Sequence, residues 1–272
     1  MYYTLHRDKQ IKKMKIKKEW RKKMYKNYIF DLYGTLVDIR TDEGKNSLWK
    51  KMSEFYRLYG AHYTAKELQD AFYEAIREQE KKVYANMKKK GLDDKGHVEI
   101  KIDKVFLKMF TAKGVKANKS LAVHAGQMFR VLSMEFEKLY DGVIEFLEAL
   151  KKQDKKVYLL SNAQYIFTYY ELQALGLLPY FDGVVISSEE GCKKPSKNFY
   201  NVVLDRYNLN PSESIMIGND QYADIQGAKN VGLDALYIHQ EISPEYIEEQ
   251  CPADYKVLDG DFTKVGKLLK VL

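Results

Sequence analysis

Two cysteines among 272 residues, Cys192 and Cys251, are too few for a disulfide framework or a thiolate zinc site. A reducing, cytoplasmic setting is the default for such a chain. No apolar run approaches the ~20 residues of a membrane helix, so no membrane span is expected. The five histidines show no metal-ligand spacing. Proline is scarce and one-sided: all five lie at Pro179 or beyond, leaving residues 41–140 without any. What is present, 45% apolar and 31% charged residues, describes a folded globular chain.

The net charge of +7 is concentrated at one end. Residues 1–23 hold ten Lys/Arg against Asp8 and Glu19, and the remainder is close to neutral. The leader reads as a solvated basic tail, or as an upstream extension with Met24 as the working start. It lacks the apolar stretch of a secretory signal. The 22 tyrosines are scattered through the chain, which suits packing better than a nucleic-acid stacking surface, so no nucleic-acid partner is expected.

The proline-free stretch predicts helices near 45–58, 65–90, 102–113 and 121–138. The second opens on Thr64-Ala65-Lys66-Glu67, a capping-box pattern. Elsewhere short apolar runs (28–32, 157–160, 184–187, 215–218, 235–238) alternate with helical patterns (142–152, 166–175, 197–207, 222–231). That alternation predicts an α/β fold, a doubly wound and mostly parallel sheet with helices on both faces. The expected organisation is a leader over 1–23, an α/β core from 24–40 and 141–272, and an all-helical cap over 41–140.

Ligands of such sheets bind beyond the carboxyl ends of the strands. Four polar clusters stand there: Asp31-Leu32-Tyr33-Gly34-Thr35, Ser161-Asn162, Lys194-Pro195, and Gly218-Asn219-Asp220 with Asp224. Each alone has a bland reading as a cap, a turn or one helix face. Their order, each ending a strand of one sheet, converges a carboxylate nucleophile, a hydroxyl donor, a cation and a metal-binding acid. That equipment suits attack on a phosphoryl group, and the acids suit Mg²⁺.

With these motifs in order from Met24 to about Ile238, the chain resembles the haloacid dehalogenase-like (HAD) hydrolase superfamily. The stretches Gly191-Cys192-Lys193-Lys194-Pro195 and Asp224-Ile225-Gln226-Gly227-Ala228 are especially similar to it. The resemblance implies a Rossmann-like core with a helical cap inserted after the first motif. It implies Asp31 as nucleophile, Ser161 as binder of the transferred group, and Lys194 as partner of the nucleophile. It also implies Mg²⁺ held by Asp31, the Tyr33 carbonyl and the cluster Asn219, Asp220 and Asp224. Thr35 and Asn162 are expected beside the substrate.

Two departures stand out. Phosphatases of that family usually carry a general acid/base Asp where this chain has Tyr33, and tyrosine is a poor base near neutrality. The 2-haloacid dehalogenases have Tyr there, work without metal, and bind their anion with an Arg after Leu-Trp. Here Leu48-Trp49 is followed by Lys50, a partial match for substrate binding, while Trp49 itself is expected to pack within the cap. Asp220 argues the other way, since a carboxylate in an anion pocket repels a haloacid unless a cation neutralises it. The expected function is therefore a Mg²⁺-dependent phosphatase of a small phosphorylated metabolite, working through an aspartyl phosphate. A metal-free 2-haloacid dehalogenase and a catalytically weak binding or regulatory protein are the alternatives.

Overall fold

The run Asn27–Phe30 forms β1, buried along its whole length in the middle of a six-stranded sheet. The structure, a computed structural model, describes residues 24–272 apart from Asp93. The expectation of a leader over 1–23 lies outside the described residues. β1 is followed by β2 (Val37–Thr41), then the helices α1 (Asn46–Leu58), α2 (Ala65–Lys89), α3 (Ile102–Thr111) and α4 (Lys119–Ser133), then β3 (Met134–Leu139). The core resumes with α5 (Val143–Lys152), β4 (Lys156–Ser161), α6 (Tyr165–Ala174), β5 (Gly183–Ile186), α7 (Ser187–Glu190) and α8 (Lys197–Arg206). It closes with β6 (Ser214–Gly218), α9 (Gly227–Lys229), β7 (Asp234–Ile238), β8 (Tyr255–Val257) and α10 (Phe262–Leu269).

The sheet order is β5-β4-β1-β6-β7-β8, and every pairing in it is parallel. Alternate residues of β1 serve opposite faces. Phe30 joins an apolar layer with Phe146, Leu159, Ile217 and Phe262, whereas Ile29 joins Leu160, Met216, Phe199 and Tyr200 on the other side. A strand buried on both faces reads as a continuous apolar run, which is why these strands stand out in the sequence. The chain runs from β1 out to β5 on one side, then returns to build β6, β7 and β8 on the other. The reversal leaves a crevice beyond the carboxyl ends of β1, β4 and β6.

Helices α1–α4 build a second apolar cluster, completed by Ile166 and Phe167 of α6. Trp49 lies in it as expected, 5.2 Å from Phe72 and 5.6 Å from Phe129 between ring centroids, with its indole N–H donated to the Glu43 carbonyl. The expected capping box is present: the Thr64 hydroxyl accepts from Glu67 N–H, and the Glu67 carboxylate accepts from Thr64 N–H. One helix was expected to run too far. The helical pattern over 121–138 stops at Ser133, and Met134–Leu139 instead pairs antiparallel with Val37–Thr41. Met134-Glu135-Phe136-Glu137 alternates apolar and acidic residues with period two, the mark of a strand. The pattern over 222–231 also divides, into a wide π turn at Gln221–Gln226 and the short α9.

Candidate active site

Asp31 leaves the carboxyl end of β1, its N–H bonded to the Ile217 carbonyl of the neighbouring strand. The next turn is tight. Gly34 has φ of +80°, and a Cβ there would meet the Asn219 amide at 2.3 Å, so glycine alone fits. Gly218, at the end of β6, is equally crowded: a Cβ would meet Asp224 Oδ2 at 2.3 Å. These two glycines let the Asp31 and Asp224 loops close on each other.

Between them lies Lys194, 3% exposed. Its ammonium is 2.5 Å from Asp31 Oδ1 and 2.7 Å from Asp224 Oδ1. Burial works against the charge on Lys194, but Asp224 and Asp31 outweigh it and hold its pKa above the ordinary lysine value. Burial pushes Asp224 the opposite way for an acid, upward, with Lys194 opposing and Asp31 adding to the rise. Two carboxylates share one ammonium, which leaves an excess negative charge in a largely buried site. Asp224 Oδ1 is buried and makes no hydrogen bond of good geometry, despite its closeness to the ammonium.

Several of the expected residues spend side-chain atoms on their neighbours in the site. Thr35 is fully buried, its hydroxyl 3.2 Å from Asn219 Oδ1 and 3.4 Å from Asp31 Oδ2. Asn162 borders the cavity, but its amide clamps the main chain of Lys194: Nδ2 donates to the carbonyl (3.1 Å) and Oδ1 accepts from the N–H (2.8 Å). Asn219 spends both amide atoms, accepting from Thr35 and donating to Ser243 Oγ at 3.3 Å. Asp220 caps the π turn, accepting from Tyr222 N–H at 2.8 Å and Ala223 N–H at 2.9 Å through one oxygen. Ser161 ends β4 with a buried hydroxyl that has no hydrogen-bond partner among the described residues. Lys50 stays on the exposed surface of α1 and does not border the cavity.

Tyr33 is drawn away from acid/base work. Its hydroxyl bonds the Glu171 carboxylate and lies 3.0 Å from Thr168 Oγ1, both on α6. Arg130 of α4 pairs with Glu171 at 2.6 Å, and its guanidinium sits 5.6 Å from the centre of the Tyr33 ring. Burial, then the Glu171 charge, raises the phenol well above its ordinary value against the opposing Arg130. Tyr33→Phe is therefore expected to change turnover less than about threefold. A phenol acting as acid or base would cost ~10²–10⁴-fold, so initial rates across pH 5–9 decide the matter.

Glu137 of β3 lies beside the same cluster with one buried, unpartnered oxygen. Burial and then Glu171 push its carboxyl up to about 7, against the opposing Arg130. A raised folded-state pKa means the native protein holds this proton more tightly than the unfolded chain. Stability should thus fall as pH rises from the ordinary carboxyl range through about 7. Glu137→Gln is expected to match the parent protein in thermal melts at pH 4.5 and to melt higher at pH 8.

The cavity in front of the trio measures about 220 Å³. Beyond the expected residues it is bordered by Ala223, Ile242 and Pro244. The last two belong to the loop after β7, which the sequence reading passed over. The rule that strand-end loops line the site, applied to Ile238, would have pointed there. Glu171 and Arg130 carried no such signal.

The helical segment also reaches this region through its backbone. Glu99 N–H donates to the Gly191 carbonyl and Lys193 N–H to the His97 carbonyl, both at 3.0 Å. The Glu99 carboxylate accepts from Ser187 Oγ and Gln164 Nε2, each at 3.0 Å. A segment of the insertion thus braces the loop that carries Lys194.

Fold and motif order define a hydrolase. The chain belongs to the haloacid dehalogenase-like hydrolases, whose family model matches residues 25–232. A glyceraldehyde 3-phosphate phosphatase of Pyrococcus furiosus is 33% identical over 135 residues, 48% of this chain and 53% of the relative. The chain spans about half the length of the curated relatives it matches. Among solved structures, the HAD-hydrolase YfnB from Bacillus subtilis bound to magnesium has a TM-score of 0.51 at 19% identity, covering 91% of this chain and 99% of that one. The 2-haloacid dehalogenase from Pseudomonas syringae pv. Tomato DC3000 has a TM-score of 0.60 at 17% identity, also covering 91% and 99%. At such identities the likeness is one of fold.

Proposed function

We propose that this hydrolase is a Mg²⁺-dependent phosphatase of small phosphate monoesters. The observation that carries the reading is the buried Asp31–Lys194–Asp224 trio, with one more anionic group than cation. The donors left over are oxygens, which suit a hard divalent ion that keeps several waters. Among the described residues no group of three or more His, Cys, Asp or Glu side chains is placed to hold a metal ion, so the ion would rest on fewer carboxylates and complete its shell with water and substrate. Asp31 and Asp220, which both border the cavity, would hold it with the Tyr33 carbonyl, Asp224 being taken by Lys194, and Asn219 would serve only to position Thr35. When bound, the ion supplies positive charge to the phosphoryl oxygens.

Asp31 then acts as nucleophile: one carboxylate oxygen forms a bond to phosphorus as the ester oxygen leaves with its electron pair. Lys194 offsets charge on the transferred group, and the Ser161 hydroxyl is a free donor for one of its oxygens. Water cleaves the acyl phosphate, regenerating Asp31 and releasing inorganic phosphate. With Tyr33 committed to Glu171, the departing alkoxide takes its proton from solvent. Turnover should therefore favour acidic leaving groups. The cavity, about 220 Å³, falls below the ~300–1,000 Å³ of common ligand pockets and supports a small substrate. The phosphatase among the relatives and the magnesium-bound structural neighbour support the same reading.

Tyr33 favours one competing reading, displacement of halide from a 2-haloacid without metal. A panel of phosphate esters and 2-haloacids, each assayed with Mg²⁺ and with chelator, separates the two. Ester hydrolysis that disappears with chelator is expected. Haloacid turnover indifferent to chelator would replace the phosphatase reading, and silence on the whole panel would favour a binding role.

A further inference from the structure

Among the described residues, none of α1–α4 borders the cavity. The apolar part of its wall comes from the core itself. Ile242 and Pro244 lie on the loop between β7 and β8 and border the same cavity as the carboxylates. This loop is pinned to the catalytic loops at two points. Ser243 Oγ accepts from Asn219 Nδ2 at 3.3 Å and from Gln240 N–H at 2.9 Å, while Ile247 N–H donates to Gln221 Oε1 at 2.9 Å. Stacking of Tyr246 on Tyr237, 4.7 Å between ring centroids, holds its far side against the sheet.

We infer that Ile242, with Pro244 beside it, is the specificity-determining wall of this site and limits the bulk of the leaving group. The inference rests on the phosphatase reading and adds the residue that sorts its substrates. An apolar wall makes no demand on hydrogen bonding, so it selects by volume. The loop's anchoring on Asn219 and Gln221 keeps that wall from yielding to a larger ester. Ile242 is 39% exposed, so its replacement alters the mouth of the cavity at little cost to the fold.

Phenyl phosphate and 2-naphthyl phosphate test the idea, because their leaving groups have similar acidity and differ in bulk. In Ile242→Ala the ratio of kcat/KM for the naphthyl over the phenyl ester should rise about tenfold, chiefly through KM. In Ile242→Phe it should fall by a similar factor, within the ~10–200-fold that a methylene-sized change in an apolar pocket commands. Thermal melts on both variants confirm that the fold is kept. A ratio within twofold of the parent in both variants, with parent activity present, overturns the inference and leaves the phosphatase reading standing. Absence of Mg²⁺-dependent hydrolysis of either ester by the parent protein overturns both.

Discussion

Asp31→Asn is expected to lower turnover by roughly 10³-fold or more while leaving the protein at least as stable as before. The side chain keeps its shape and one oxygen for Lys194, the Thr35 hydroxyl can accept from the new amide while it donates to Asn219, and the turn at Gly34 survives. What disappears is the nucleophilic charge, and with it the attack on phosphorus. The same change relieves like-charge crowding, because Asp31 is one of the groups that raise Asp224. Lys194 is then left with a single carboxylate, a balanced buried pair in place of an unbalanced trio. Steady-state assays and melts without metal would show activity and stability moving apart, as they do where function maintains strain. Retention of more than about a tenth of parental turnover, a loss under ~1.4 kcal/mol, would remove Asp31 from the nucleophile's role.

Lys194→Met should damage both properties together. Removing one partner of a buried ion pair costs ~3–5 kcal/mol, since the partner charge stays behind. Here two carboxylates stay behind, facing each other in a site where Asp224 is 1% exposed. At ~2–4 °C per kcal/mol for a chain of this size, the melting temperature should fall by roughly 10 °C near neutrality. The loss should shrink as pH falls, because burial and Asp31 already raise Asp224, and without Lys194 to oppose them Asp224 takes up the proton that removes the repulsion. Mg²⁺ should restore part of the stability by neutralising the pair, and none of the activity. A variant melting within 2 °C of the parent at pH 8 would show that the trio is far better solvated than its burial implies.

The sheet was legible in the sequence because its strands are buried on both faces and so consist of unbroken apolar runs. Asp31 was legible for the same reason: a carboxylate directly after Tyr28-Ile29-Phe30 marks a strand end. β2 and β3 were not, since each carries charged residues in alternation and pairs with a partner about 100 positions away. The role of Tyr33 was visible only as an absence of aspartate. Its commitment to Glu171 depends on packing between α4 and α6, which no local pattern encodes. Asn219 and Thr35 lie beside Asp31, but only geometry separates a residue that faces a ligand from one that holds its neighbour. Ile242 and Pro244 were missed because an apolar residue in a loop gives no chemical signal.

The pairing of β2 with β3 bears on how this chain can be synthesised and fold. β1 leaves the ribosome first, yet its two partners begin at Lys156 and Ser214. A central strand that waits so long is exposed to the wrong contacts, and parallel pairing across distant segments is intrinsically slow. The insertion shortens that wait in effect. Its helices pack around a shared apolar cluster, and its ends are joined where Thr41 pairs with Met134, so the 92 residues between them (42–133) no longer count as free loop. The pairing of β2 with β3 thus joins the two ends of the insertion and shortens the separation across which the two halves of the sheet must meet.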